Sequence, residues 1–114
     1  MADCVFCGIA GGHIPATPVR QDRDTVAFRD LNPQAPTHIL VIPRRHIASV
    51  ADTDRSDTGV LGAVLAAAVE VAAAEGLDQS GYRLVINHGA DGGQSVGHLH
   101  VHLLGGRPMT WPPG

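Results

Sequence analysis

Three histidines stand at every second position of His98-Leu99-His100-Val101-His102-Leu103-Leu104, and no other stretch restricts the fold as tightly. Period 2 is the strand period, so the imidazoles share one face of a strand while Leu99, Val101 and Leu103 take the other. The rise of about 3.3 Å per residue puts alternate side chains roughly 6.6 Å apart. Neighbouring imidazoles then orient one another, but they hydrogen-bond only by tilting or through a mediator. Just upstream, Gly89, Gly92 and Gly93 form a loop whose bare backbone approaches an anion closely. Gln94, Ser95 and Val96 add backbone N–H groups there, and the Ser95 hydroxyl adds a donor. Alone, Gly92-Gly93-Gln94-Ser95 would be a plain turn. Directly before a row of imidazoles, it points to phosphate held beside a histidine nucleophile.

The rest of the chain supplies a frame for that strand. Cys4 to Gly11 reads as a short helix or turn, and Ile14 to Pro18 as extended chain, since residues before proline avoid the helical region. Val19-Arg20 and Thr25 to Asp30 read as strands around a turn at Gln21 to Asp24. Asn32 to Pro36 is a loop, and His38 to Ile42 a buried strand stopped by Pro43. Ser56 or Thr53 is positioned to cap a long helix from Asp57 to Glu75, closed by Gly76. Tyr82 to Asn87 and Leu99 to Leu104 complete the strands. The expected fold is α+β, an antiparallel meander with one main helix and a short N-terminal helix, in a single domain spanning residues 1–114. Val60, Leu61, Val64, Leu65, Ala68, Val69, Val71 and Ala72 make the long helix apolar nearly all round. One face covers the sheet, and the other calls for a second cover, hence a homodimer.

Charge and residue usage exclude several function classes. A net charge of −3 argues against a nucleic acid polymer as partner. All eight basic residues are Arg, so a lysine nucleophile and a P-loop lysine are excluded, and covalent nucleotidyl chemistry falls to His, Cys or Ser. No apolar run approaches the length needed to cross a bilayer, and Met-Ala-Asp-Cys lacks a basic region followed by an apolar one. The expectation is therefore a cytoplasmic protein away from the membrane. Cys4 and Cys7, spaced Cys-x-x-Cys, read as half a zinc site, a redox pair or two packed thiols. His13 and His88 lack such context and read as solvated.

The histidine row resembles the His-x-His-x-His-x-x signature of the histidine triad superfamily. The Gly-Gln-Ser-Val before it and the Trp111-Pro112-Pro113-Gly114 end resemble the Hint branch, the purine nucleoside phosphoramidases, and the similarity covers nearly the whole chain. That resemblance implies two subunits joining their sheets. It makes His100 the nucleophile and His102 its orienting, phosphate-contacting neighbour, with His98 behind and His38 as the fourth active-site histidine. It sets Ser95 near the leaving group, Gly93, Gln94 and Val96 along the phosphate, and Asn87 on ribose or phosphate. Asp30 takes the ribose hydroxyls, and Phe6, Ile9, Ile14, Phe28 and Leu31 form the purine slot. Trp111 lies in a tail that reaches the partner's site.

Catalysis of this kind requires no cofactor. Cys4, Cys7, His46 and His98 resemble the structural zinc site of several bacterial triad proteins, which the branch with this tail generally lacks. Arg29, Leu31 and Thr110 also depart from common residues of the branch. The reading is hydrolysis of adenosine or guanosine 5′-phosphoramidates through a nucleotidyl-histidine. The alternatives are a dinucleoside polyphosphate hydrolase or nucleotidyl transferase of the same superfamily, and a non-catalytic, zinc-stabilised nucleotide-binding protein. A transferase carries Gln in place of the last histidine, which here is His102.

Overall fold

A computed structural model describes residues 4–114; residues 1–3, counted above within the single domain, lie outside the described residues. Five strands pair antiparallel throughout: β1 (Pro18–Gln21), β2 (Thr25–Arg29), β3 (Thr37–Pro43), β4 (Tyr82–Ile86) and β5 (Val101–Gly105). Their order across the sheet is β1-β2-β3-β5-β4. The first three strands form a meander. The long helix α2 (Thr58–Ala74) then crosses one face and delivers β4 to the far edge, and β5 turns back into the gap beside β3. A short helix α1 (Val5–Ala10) lies on the opposite face.

The sheet divides the core by residue parity. Ile39, Val41, Val101 and Leu103 point at Val64, Ala67, Ala68, Val71 and Ala72 of α2. Those helix positions follow the i, i+3, i+4, i+7, i+8 stripe that faces a sheet. On the other face Val26, Phe28, Leu40 and Ile42 pack under Phe6 of α1. Register places Phe28 opposite Leu40 and Leu40 opposite His102, so one cross-strand row joins apolar floor to histidine.

Several local expectations are corrected. β5 begins at Val101 rather than Leu99, because the Leu99 N–H donates to the Ile47 carbonyl (2.6 Å) instead of to the ladder. His98 and His100 therefore lie on the approach to the strand. Neither Ser56 nor Thr53 caps α2: the Asp54 carboxylate accepts the Ser56 N–H (2.8 Å), and Asp57 accepts the Asp54 N–H (3.1 Å). This capping box closes a 3₁₀ turn that runs into α2. The expected glycine loop contains a single helical turn, α3 (Gly89–Gly92), ended by Gly93 in the left-handed region at φ 77°.

The expectation about apolar runs is corrected too. Arg55–Ala74 is long and apolar enough to cross a membrane by length and composition. One stripe of that stretch is nonetheless part of the sheet core. Its other side leaves Leu65 41% and Val69 52% exposed.

Candidate active site

On the α1 side of the sheet lies a cavity of about 470 Å³. Phe28, Leu40 and His102 come to it from the strands, Phe6 and Ile9 from α1, and Asp30, Leu31, Ser95 and Val96 from the loops. His38 and His100 complete the polar side. The strand parity that buries Val101 and Leu103 under α2 is what turns His102 toward the cavity.

Hydrogen bonds to backbone assign the tautomers of His38, His98 and His100, because a peptide N–H only donates and a carbonyl only accepts, and His38 in turn assigns His102. The Gln34 N–H donates to His38 Nδ1 (3.0 Å), so the proton of neutral His38 sits on Nε2. That Nε2–H donates to His102 Nδ1 (2.9 Å), which leaves Nε2–H as the donor His102 has free. His100 Nδ1–H donates to the carbonyl of His98 (2.7 Å), so His100 Nε2 keeps its lone pair. His98 Nε2–H donates to the Pro43 carbonyl (2.9 Å), and its Nδ1 lone pair faces the two thiols. The four rings thus hold complementary protonation patterns without a proton to spare.

Burial favours the neutral form of three of them, His38, His98 and His102. Burial, with the His100 and His38 imidazoles adding, pushes the pKa of His102 down to about 4, against a smaller upward pull from Asp30. Burial also lowers His38, opposed by the Asp30 carboxylate 3.5 Å from its Nε2. His98, fully buried, is lowered mainly by burial too, and neutral imidazole is the form that ligates a metal.

The loop residues divide. Ser95 and Val96 reach the cavity, whereas Asn87, Gly93 and Gln94 do not line it. Gln94 instead binds the loop together: its amide donates to the Ala48 (2.8 Å) and Val96 (3.0 Å) carbonyls. The Asn87 amide donates to the Gly92 carbonyl (2.6 Å), tying β4 to α3. Ile14 sits in an adjoining surface hollow against Gly8, and Trp111 is 82% exposed away from the cavity. Sequence reasoning missed Val5, Pro15, Ala16, Asn32, Gln34 and Leu40 among the lining residues, and gave Arg29, which also lines the cavity, no site role. Leu40 was within reach, since it alternates with His38 on one strand. Gln34 acts through its backbone N–H, which leaves no side-chain signature.

A second cluster adjoins the first. Cys4 Sγ, Cys7 Sγ, His46 Nδ1 and His98 Nδ1 all lie within 4.8 Å of one another. Tetrahedral zinc, with bonds of about 2.3 Å to sulfur and about 2.0 Å to nitrogen, separates its ligands by roughly 3.3–3.8 Å. The Cys7–His46 (3.2 Å), Cys4–His98 (3.4 Å) and Cys7–His98 (3.6 Å) contacts fit that frame. Two thiols and two imidazoles are also the donor set zinc prefers over magnesium or calcium.

The profile of the HIT domain family matches residues 11–109, a span that holds the whole histidine row but neither cysteine. The chain is 55% identical to a HIT family hydrolase from Legionella pneumophila Philadelphia 1, with a TM-score of 0.96 over 98% of this chain and 100% of that one. It is 51% identical over 112 residues to the 14 kDa zinc-binding protein of Zea mays, covering 96% of this chain and 87% of that protein. A zinc-bound histidine triad family protein from Mycobacterium smegmatis superposes with a TM-score of 0.78 at 32% identity, over 93% of this chain and 76% of that one. Fold, histidine row and profile agree, and the chain belongs to the histidine triad, or HIT, family.

Proposed function

We propose that this HIT protein is a purine nucleoside phosphoramidase. The observation that carries the reading is the tautomer of His100, whose Nδ1–H is committed to the His98 carbonyl while Nε2 is free at the cavity. A neutral imidazole so held is a nucleophile that needs no general base. The purine enters the slot of Phe6, Ile9, Phe28 and Leu31, and its ribose hydroxyls donate to Asp30. His102 Nε2–H, the backbone N–H groups of Ser95 and Val96, and the Ser95 hydroxyl take the phosphoryl oxygens. His100 Nε2 attacks the α-phosphorus and the P–N bond breaks. The amine leaves with the P–N electron pair and takes up a proton from solvent, relayed through the Ser95 hydroxyl. Water then attacks the phosphohistidine, the N–P electron pair returns to His100 Nε2, the water's proton passes back to solvent, and the mononucleotide departs.

No metal takes part in these steps. Zinc on Cys4, Cys7, His46 and His98 would contribute folding free energy, and zinc is named in the maize and mycobacterial relatives. Thiols serving as ligands need reducing surroundings, which supports the cytoplasm as compartment. The test of the reaction is AMP release from adenosine 5′-phosphoramidate against a dinucleoside tetraphosphate at equal concentration. A kcat/KM at least tenfold higher for the phosphoramidate is expected, with turnover in the ordinary range of about 1–1,000 per second. The reverse order would hand the site to polyphosphate hydrolysis. AMP binding with neither substrate turned over would make the protein a nucleotide-binding module.

The exposed Leu65 and Val69 of α2, with Tyr82 and Ile86 on the open edge strand, support a homodimer built across that side. Charging the patch with Leu65→Glu and Val69→Glu should convert a dimer to a monomer in sedimentation at micromolar concentration. If wild type already sediments as a monomer, the dimer is wrong.

A further inference from the structure

The metal cluster and the nucleotide cavity share one short helix. Cys4 caps the N-terminus of α1, its sulfur accepting the Cys7 N–H (3.4 Å), and Cys7 lies on the first turn. Between them, Phe6 is 6% exposed and points the other way, into the cavity. Its ring meets Phe28 edge-on at 5.5 Å, His100 at 5.2 Å and His98 at 6.0 Å between centroids. With six residues, α1 is far too short to be stable by itself, so its position depends on what fastens it. The thiols fasten one side and Phe6 the other. A second route runs through His98, whose Nδ1 faces the thiols while its carbonyl holds the Nδ1–H of His100.

Resting on the nucleotide reading above, we infer that metal on Cys4, Cys7, His46 and His98 and nucleotide in the cavity bind with positive coupling. Phe6 is the positioning residue that carries it. The metal, by fixing α1, sets the wall against which a purine packs and the ring that abuts the nucleophile. A nucleotide seated on Phe6 in turn holds the two thiols in ligating geometry. Coupling between sites is reciprocal, and its usual size is about 5–150-fold in affinity.

The experiment uses the full chain, zinc alone and AMP as probes. AMP affinity is measured calorimetrically for zinc-loaded and metal-stripped protein, and zinc affinity by chelator competition with and without AMP. The expected result is AMP binding on the order of tenfold tighter to the loaded form, and zinc binding tighter by the same factor with AMP present. Amide exchange supplies the structural readout: stripping should expose the Gly8 N–H, bonded to the Cys4 carbonyl, while β3 amides stay protected. Phe6→Leu should keep zinc affinity and lose most of the coupling. Equal AMP affinity in both forms, or coupling undiminished in Phe6→Leu, would overturn the inference. Loss of β3 protection on stripping would overturn it as well, because the link would then be global folding. AMP binding to neither form would defeat the nucleotide reading itself, a different result from equal binding to both.

Discussion

Replacing His100 by Ala should abolish AMP release from adenosine 5′-phosphoramidate, with kcat falling on the order of 10⁴-fold or more, as for nucleophiles that work within a preorganised unit. The size of the effect follows from the division of labour in the cavity. His38 and His102 are linked to each other and to the Gln34 N–H, so both are committed to orienting and donating. His98 has its Nε2–H on Pro43 and its Nδ1 toward the thiols. Among the described histidines, only His100 offers a free imidazole lone pair at the cavity. AMP affinity should change by only a few fold, since the apolar slot and Asp30 are untouched. His100 is 4% exposed, so its removal leaves a small buried gap. His100→Gly with added imidazole separates the roles: partial restoration of turnover by the free base identifies a missing nucleophile rather than a disturbed fold. Wild-type turnover in His100→Ala would eliminate the covalent route.

How far this site could be read in the sequence depended on whether a residue acts by its side chain or its backbone. The parity of His100, Val101, His102 and Leu103 divides two faces by geometry alone, and Val101 and Leu103 do lie under α2 while His102 lines the cavity. The start of the strand was not legible, because it depends on the Leu99 N–H finding the Ile47 carbonyl, from a loop far away in sequence. Gln34 escaped notice for the same reason. Cys4 and Cys7 announce themselves by spacing, but only the approach to β5 and the turn after β3 bring His98 and His46 to them. Gln94 was read as bringing its backbone N–H to phosphate, yet that N–H donates to the Gly89 carbonyl (3.1 Å), and its side-chain amide is taken up by the Ala48 and Val96 carbonyls. The apolar excess of α2 was visible as composition. Which side the sheet takes became clear only with the fold, and the uncovered remainder is what supports the proposed dimer.

Acidification is expected to expose the cost of keeping the histidine cluster neutral. Folding depresses the pKa of His102 from an ordinary 6.5 to about 4, chiefly by burial. The unfolded chain therefore binds its proton first as pH falls. The stability that neutral His102 allows is fully present above pH 6.5 and drains away down to about pH 4. At about 1.4 kcal/mol per pKa unit the full window is worth about 3 kcal/mol, an upper figure because solvent reaches part of the ring. His38, lowered in the same direction, adds to the slope. His102→Gln isolates the contribution, since the amide oxygen can accept the His38 Nε2–H and its NH₂ can donate to the cavity, without titrating. Urea midpoints at pH 7, 5.5 and 4.5, taken on zinc-loaded wild type and variant, make the comparison with metal-ligand protonation common to both. Wild type should lose stability more steeply than His102→Gln below pH 6.5. The same neutral state bears on catalysis: His102 remains a donor across the physiological range, so an acid limb in kcat/KM above pH 5 must come from another group. Parallel slopes in the two proteins would place the acid sensitivity elsewhere and show that His102 is not held neutral at the expense of the fold.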